Sequence, residues 1–228
     1  AIALKPDYAE AKHLLAALTG QTTNSAPRDY VENLFDNYAS TFDASLVGEL
    51  DYQIPKFVAE MIISRNSESS LGSVLDLGCG TGLTGKEIGK HCEYLEGVDL
   101  SKSMLKRARR TNVYNKLNYR DISDYLWVEE LDFNYYVATD VFIYVGDLSN
   151  IFSLIKSRNK SCGKIVFSTE HTDKDTFVLE QSGRYSHSKK YIEGLCEKFN
   201  YSLRHFEYQK LRKENNDYIA AGLYLLEF

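Results

Sequence analysis

The stretch VLDLGCGTGLTG, residues 74–85, sets an aspartate and four glycines directly after an apolar run. Glycines in that density cost backbone entropy and pack nothing, so their use is close approach of the backbone to a ligand. Two spacings overlap here. Gly80, Gly82 and Gly85 satisfy G-x-G-x-x-G, the dinucleotide fingerprint. Asp76, Gly78, Gly80 and Gly82 satisfy D-x-G-x-G-x-G. A carboxylate two residues before the first glycine repels a pyrophosphate and suits a ligand that carries an ammonium group. Asp99 follows 19 residues after Gly80, at the end of a second apolar run. A carboxylate there can accept hydrogen bonds from both hydroxyls of a ribose.

These residues need strand ends to hold them. SVLDL (73–77) reads as a first strand and TGKEIGKHC as the helix after its loop. YLEGVDL is a second strand, followed by SKSMLKRARR as a helix with Ser101 as its N-cap. LNYRDI, FNYYVATDVFIYV and GKIVFSTE hold the third, fourth and fifth strands, with LSNIFSLIKSRN a helix before the fifth. SKKYIEGLCEKFN is a helix with Tyr191, Ile192, Leu195, Cys196 and Phe199 on one face. SLRHFEYQKLRKE and YIAAGLYLLEF are two strands whose short link forbids a helical crossover, so they pair antiparallel. The expected fold is α/β: a Rossmann-like, seven-stranded, mostly parallel sheet with helices on both faces, an antiparallel last strand and a helical N-terminal extension. In that extension, KPDYAEAKHLLAALTG reads as a helix started by proline and closed by glycine. Val31, Leu34, Phe35, Tyr38 and Phe42 then fall at helical spacing, as do Phe57, Val58, Met61 and Ile62.

The D-x-G-x-G-x-G loop resembles that of class I S-adenosylmethionine-dependent methyltransferases. The likeness extends through YVENLFDNYASTFD, GVDLSKSML, DVFIYVGDL, FSTE and SGRYSHSKKYI. In that order these segments are similar to the bacterial tetratricopeptide-linked methyltransferases, over about residues 4–228. The resemblance implies residues 1–20 as the remnant of a helical repeat, 21–65 as a helical lid segment and 66–228 as the methyltransferase domain. It implies S-adenosylmethionine bound by Gly78, Gly80, Gly82, Asp99 and Asp121, and extends to Asp76, Cys79 and Leu100 beside them. Met104 offers the adenine a polarisable thioether or serves the core; Asp121 and Ile122 address the adenine edge, or Asp121 starts a helix. Tyr30 and Tyr38 come from the lid, with Phe35 and Phe42 either covering the ligand or only packing. Asp140 and Tyr144, after the fourth strand, face the transferred methyl and the acceptor.

Candidate catalytic residues are Tyr144, His171 and His187. His171, Arg184, Tyr185 and His187 lie in two loops that suit an acceptor, and Arg184 points to an acceptor bearing carboxylate or phosphate. Alternatively, SHS caps the helix and Arg184 pairs with an acid. The expected acceptor is a small molecule, and a protein partner through the N-terminal helices stays open. Rival readings are an NAD-dependent oxidoreductase and a binding module without turnover.

Composition narrows the remaining classes. The chain of 228 residues is 43% hydrophobic and 26% charged, as globular proteins are, with a formal net charge of −5. That balance disfavours a nucleic-acid footprint, and the basic run Lys102, Lys106, Arg107, Arg109, Arg110 reads as a solvated helix face. Cys79, Cys92, Cys162 and Cys196 form no C-x-x-C pair, so no metal site is expected and reduced thiols fit a cytoplasmic protein. No membrane span and no secretory leader are expected; AIALKP reads as the end of a preceding helix.

Overall fold

Short, near-continuous apolar runs build a sheet with two covered faces. The computed structural model describes residues 5, 7–214 and 217–228, so the helix end read at AIALKP lies almost wholly outside them. β1 (Ser73–Leu77), β2 (Tyr94–Asp99), β3 (Lys116–Tyr119), β4 (Tyr135–Ala138) and β5 (Lys164–His171) run parallel in the order β3-β2-β1-β4-β5. Two short strands follow, β6 (Phe177–Leu179) and β7 (Tyr185–His187). The long pair β8 (Ser202–Glu214) and β9 (Asp217–Glu227) is antiparallel, and β9 lies antiparallel on β5.

The seven expected strands are therefore present, and the expected count is corrected to nine by the β6–β7 hairpin. Its physical cause lies in β4. That strand stops at Ala138, opposite Phe167, and the edge of β5 is left open at Glu170 and His171. β7 pairs there, parallel to β5.

Val74, Tyr135, Val137 and Val166 face one side of the sheet, against α3 (Ile54–Arg65) and α4 (Leu83–Ile88). Leu75, Leu77, Tyr136, Ile165 and Phe167 face the other. There they meet α6 (Ile122–Val128), α7 (Ser149–Arg158) and α8 (Lys189–Phe199). α5 (Lys102–Ala108) covers Cys79 with Leu105 and Ala108, and Lys102, Lys106, Arg109 and Arg110 near it are exposed. Among the described residues no helix is long and apolar enough to cross a membrane.

α1 (Ala9–Thr19) ends on Gly20, whose φ of 72° lets its N–H reach the Ala16 and Ala17 carbonyls. Ala16 and Ala17 pack on Leu179 and Tyr185, and the His13 ring meets the Gly183 carbonyl at 2.9 Å. α2 (Arg28–Tyr38) buries none of its side chains fully, and a π-helical turn, Ala44–Glu49, follows. α3 behaves differently. Ile54, Val58 and Ile62 are buried against the sheet, so α3 is a core helix although it falls within the segment 21–65.

The aromatic centre of the core gathers on Phe167. Its ring stacks on Tyr224 at 5.0 Å and meets Phe142 at 5.3 Å and Phe152 at 5.7 Å. Phe167→Ala leaves a cavity between three rings, and we expect it to lower the unfolding free energy by about 3–5 kcal/mol. Denaturant unfolding of the two proteins checks this.

Candidate active site

The glycine loop is tied across the sheet before it can turn. Gly78 and Cys79 both donate to the Val98 carbonyl of β2, at 2.8 and 3.1 Å. Gly80 has φ +54°, and a Cβ built there meets nothing within 4 Å. Its N–H donates to Oδ2 of Asp99 at 2.8 Å. The loop thus presents bare backbone to the space in front of it. Gly78 is glycine for another reason, since a Cβ there would lie 2.6 Å from Val141.

Asp99 closes β2 and takes a second bond on Oδ1, from the Ser101 N–H at 2.8 Å. Burial pushes its carboxyl up to about 6, against the backbone hydrogen bonds that favour the charged form. Ser101 caps α5 by accepting from Met104 N–H, and Asp121 caps α6 by accepting from Ser123 and Asp124 N–H. These caps aim the two turns that flank Asp99.

A cavity of about 790 Å³ opens over these strand ends. Its wall brings together Tyr30, Tyr38, Gly78, Cys79, Gly80, Asp99, Leu100, Met104, Asp121, Ile122, Asp140 and Tyr144, all expected at the site. Phe35 and Phe42 line it too. Phe35 meets Tyr144 edge-on at 5.3 Å.

Five expected residues stand elsewhere. Gly82 is not in the wall; it holds φ +87° at the start of α4, packed against Tyr114 and Thr111. Asp76 is fully buried behind the loop. Its Oδ2 accepts from the Tyr114 hydroxyl at 2.7 Å, and its Oδ1 has no partner among the described residues. Direct contact with an ammonium group in the cavity is therefore not met in this arrangement.

His187 is fully buried, and Nε2 lies 3.0 and 2.9 Å from the Val145 and Gly146 carbonyls. Two carbonyl partners place the proton on Nε2, and burial pushes the pKa down to about 4. It clamps β7 to the segment after β4 and does not touch the cavity, so the catalytic expectation is corrected. His171 packs edge-on to Tyr208 at 4.8 Å, with Nε2 3.3 Å from Asp173, also away from the cavity. Tyr185 is buried, with its hydroxyl on Thr23.

One wall residue carried no sequence signal. Arg212, on β8, lines the cavity and is buried. Its guanidinium meets both oxygens of Asp140, at 2.9 and 3.2 Å, and also Glu170. Arg184 donates from Nε to the same Glu170 oxygen at 2.8 Å. Asp140 itself holds a left-handed backbone, φ +58°, with its N–H on Ser168. Burial pushes Asp140 and Glu170 up, and the two guanidiniums pull them back. Arg184 thus pairs with an acid, as the alternative reading of its place has it.

The wall suits a nucleoside joined to a cationic sulfur: an acid for ribose hydroxyls, open backbone at Gly80, a thioether at Met104 and aromatic rings above. A pyrophosphate would face Asp99, with no Lys or Arg in residues 78–85. Residues 74–163 match the family described as Methyltransferase domain. The structure superposes on magnesium protoporphyrin IX methyltransferase of Synechocystis PCC 6803 with a TM-score of 0.67, at 15% identity, covering 90% of this chain and 99% of that one. The chain has a class I methyltransferase fold. A methyltransferase of Clostridium acetobutylicum gives a TM-score of 0.62 at 18% identity, covering 86% and 99%. The N-methyltransferase NodS of Bradyrhizobium japonicum gives 0.58 at 18%, covering 76% and 84%. In sequence, an uncharacterized methyltransferase of Schizosaccharomyces pombe is 39% identical over 64 residues, 26% of this chain. The chain spans only 24% of that relative's length.

Asp76 yields a pH prediction. Burial pushes its carboxyl up to about 7, the Tyr114 bond opposes this and the Asp99 charge adds to it. An acid raised in the folded state binds more protons there than in the unfolded chain, so stability falls as pH rises from about 4 to 7. Asp76→Asn keeps the acceptor for Tyr114 and removes the charge. We expect near parity with the parent at pH 4.5 and a gain of about 1–4 kcal/mol at pH 8, read by denaturant unfolding.

Proposed function

We propose that the protein binds S-adenosylmethionine and transfers its methyl group to a small-molecule acceptor. The observation that carries the reading is Asp99, a buried carboxylate on the cavity wall that also holds the Gly80 N–H. The bound cofactor would supply a methyl on a sulfonium, already attached to a good leaving group. The protein's share is then alignment, which in favourable cases accounts for roughly 7–11 kcal/mol of barrier.

Asp99 would take the ribose hydroxyls, Met104 and Ile122 would flank the adenine, and Asp121 would accept from its amino group. The lid is the part of the chain from α2 to Leu50, which would exclude water through Tyr30, Phe35, Tyr38 and Phe42. Tyr144 and Asp140 would stand on the acceptor side. The charge-balanced Arg184, Glu170, Arg212 and Asp140 cluster supports an acceptor that is polar without demanding that it be an anion. Leu14, Leu15 and Leu18 of α1 are exposed, and these support a contact of α1 with a neighbouring helical repeat.

Calorimetry with S-adenosylhomocysteine tests the cofactor. We expect binding, none with NAD, and a loss of roughly 5- to 150-fold on Asp99→Ala. Affinity should also fall as pH drops through about 6, where Asp99 takes up a proton and can no longer serve its N–H donors and two hydroxyls. The fall approaches tenfold per pH unit, and Asp99→Asn flattens it. Turnover is read with labelled S-adenosylmethionine on a panel of phenols, amines and carboxylic acids.

A further inference from the structure

α2 lies over the cavity without a fully buried side chain, so polar ties add to the packing of its partly buried Tyr30, Val31 and Phe35 in fixing its place. The innermost of these ties is Asp36, which does not itself line the cavity. Its Oδ1 accepts from the Ser101 hydroxyl at 2.5 Å and from the Ser103 N–H at 3.0 Å. Burial pushes Asp36 up, but these bonds outweigh it and hold the carboxyl below its usual range, so it is ionised at neutral pH.

Ser101 is buried and doubly engaged. Its hydroxyl donates to Asp36 and accepts from Met104 N–H at 3.1 Å, which removes its rotational freedom. Its own N–H donates to Oδ1 of Asp99, whose Oδ2 holds Gly80. An unbroken hydrogen-bonded chain thus runs from the lid through Asp36, Ser101 and Asp99 to the glycine loop. Farther along, Asp43 accepts from the Thr81 hydroxyl at 2.5 Å. The other α2 ties, Arg28 to Asp124 and Glu32 to Tyr119, are exposed and touch neither Ser101 nor Asp99.

We infer that Asp36 is a positioning residue for the cofactor's ribose: docked on Ser101, it fixes the orientation in which Asp99 receives the two hydroxyls. The inference rests on the cofactor reading proposed above. Closure of the lid and formation of the ribose subsite are then one event. The coupling is reciprocal, so a ligand with ribose hydroxyls holds α2 more tightly than one without.

The test is a cycle of variant against ligand, with S-adenosylhomocysteine and its 2′,3′-dideoxy analogue as probes. Asp36→Ala should weaken S-adenosylhomocysteine about tenfold and change the dideoxy analogue less than about twofold. Asp36→Asn, which keeps one acceptor oxygen, should recover most of the loss. Glu32→Ala, which cuts an exposed α2 tie, should leave both affinities within about twofold. Thermal melts check folding; if Asp36→Ala does not fold, Ser101→Ala cuts the same chain and should show the same ribose-dependent loss. Equal losses for both ligands would overturn the inference, because Asp36 would then act on lid closure alone. No loss with either ligand would overturn it as well. Failure of the parent protein to bind S-adenosylhomocysteine is a separate result, and it removes the cofactor reading itself.

Discussion

The site depends on one carboxylate at the end of a strand. Asp99 takes the Gly80 N–H on one oxygen and the Ser101 N–H on the other, and so joins the turn after β1 to the turn after β2. Both turns must leave their helices at fixed angles for a cavity to exist between them. Hydrogen bonds to a charged acceptor are worth about 1.5–3 kcal/mol each, comparable with the desolvation that raises this carboxyl. Desolvation outweighs the bonds, which leaves the group titrating near 6 while it still orders the loop. A lid that reaches the same residue through Ser101 adds a third element to that junction.

A second constraint works on the other side of the cavity. Asp140, Glu170, Arg184 and Arg212 are drawn from four separate stretches of chain and meet with little water. Taking such charges out of water is expensive, and an apolar cluster of the same volume would often be at least as stable. What the ions supply is direction. Arg212 holds the carboxylate of a residue whose left-handed backbone few side chains adopt, and Ser168 holds its N–H. The floor near Tyr144 is therefore tied through both side chain and backbone although it stands where β4 has ended.

How far the sequence foretold this differs by region, for physical reasons. The strand–loop–helix at residues 73–88 was legible because conformation there is dictated by glycine spacing and an apolar run. Ser101 and Asp121 were legible because caps are local. Arg212 was not. Leu211 and Arg212 are neighbours and both are buried, which a regular strand with one covered face does not allow. The register shift between Lys210 and Lys213 makes it possible, and a bulge leaves no mark in the composition of KLRKE. The two histidines misled for a related reason. A histidine in a loop beside an aromatic looks chemical, but His187 faces two carbonyls and not the cavity, and that depends on the β6–β7 hairpin. The hairpin was missed because three-residue strands carry no readable period.

The long ribbon of β8 and β9 reaches past the sheet to the far end of the lid. Lys213 N–H donates to the Leu50 carbonyl at 2.9 Å, and the Tyr218 hydroxyl meets Asp51 at 2.7 Å. Under the proposed reading the donor's contacts fall between residues 78 and 122, whereas the lid's rear anchorage and, apart from Asp140, the ionic floor lie after residue 169. Inheritance can act on these two tracts of polypeptide separately. On that reading, substitutions in the later tract would reshape the recipient's berth and leave the donor's contacts in place, which is one route by which a single scaffold comes to serve many recipients.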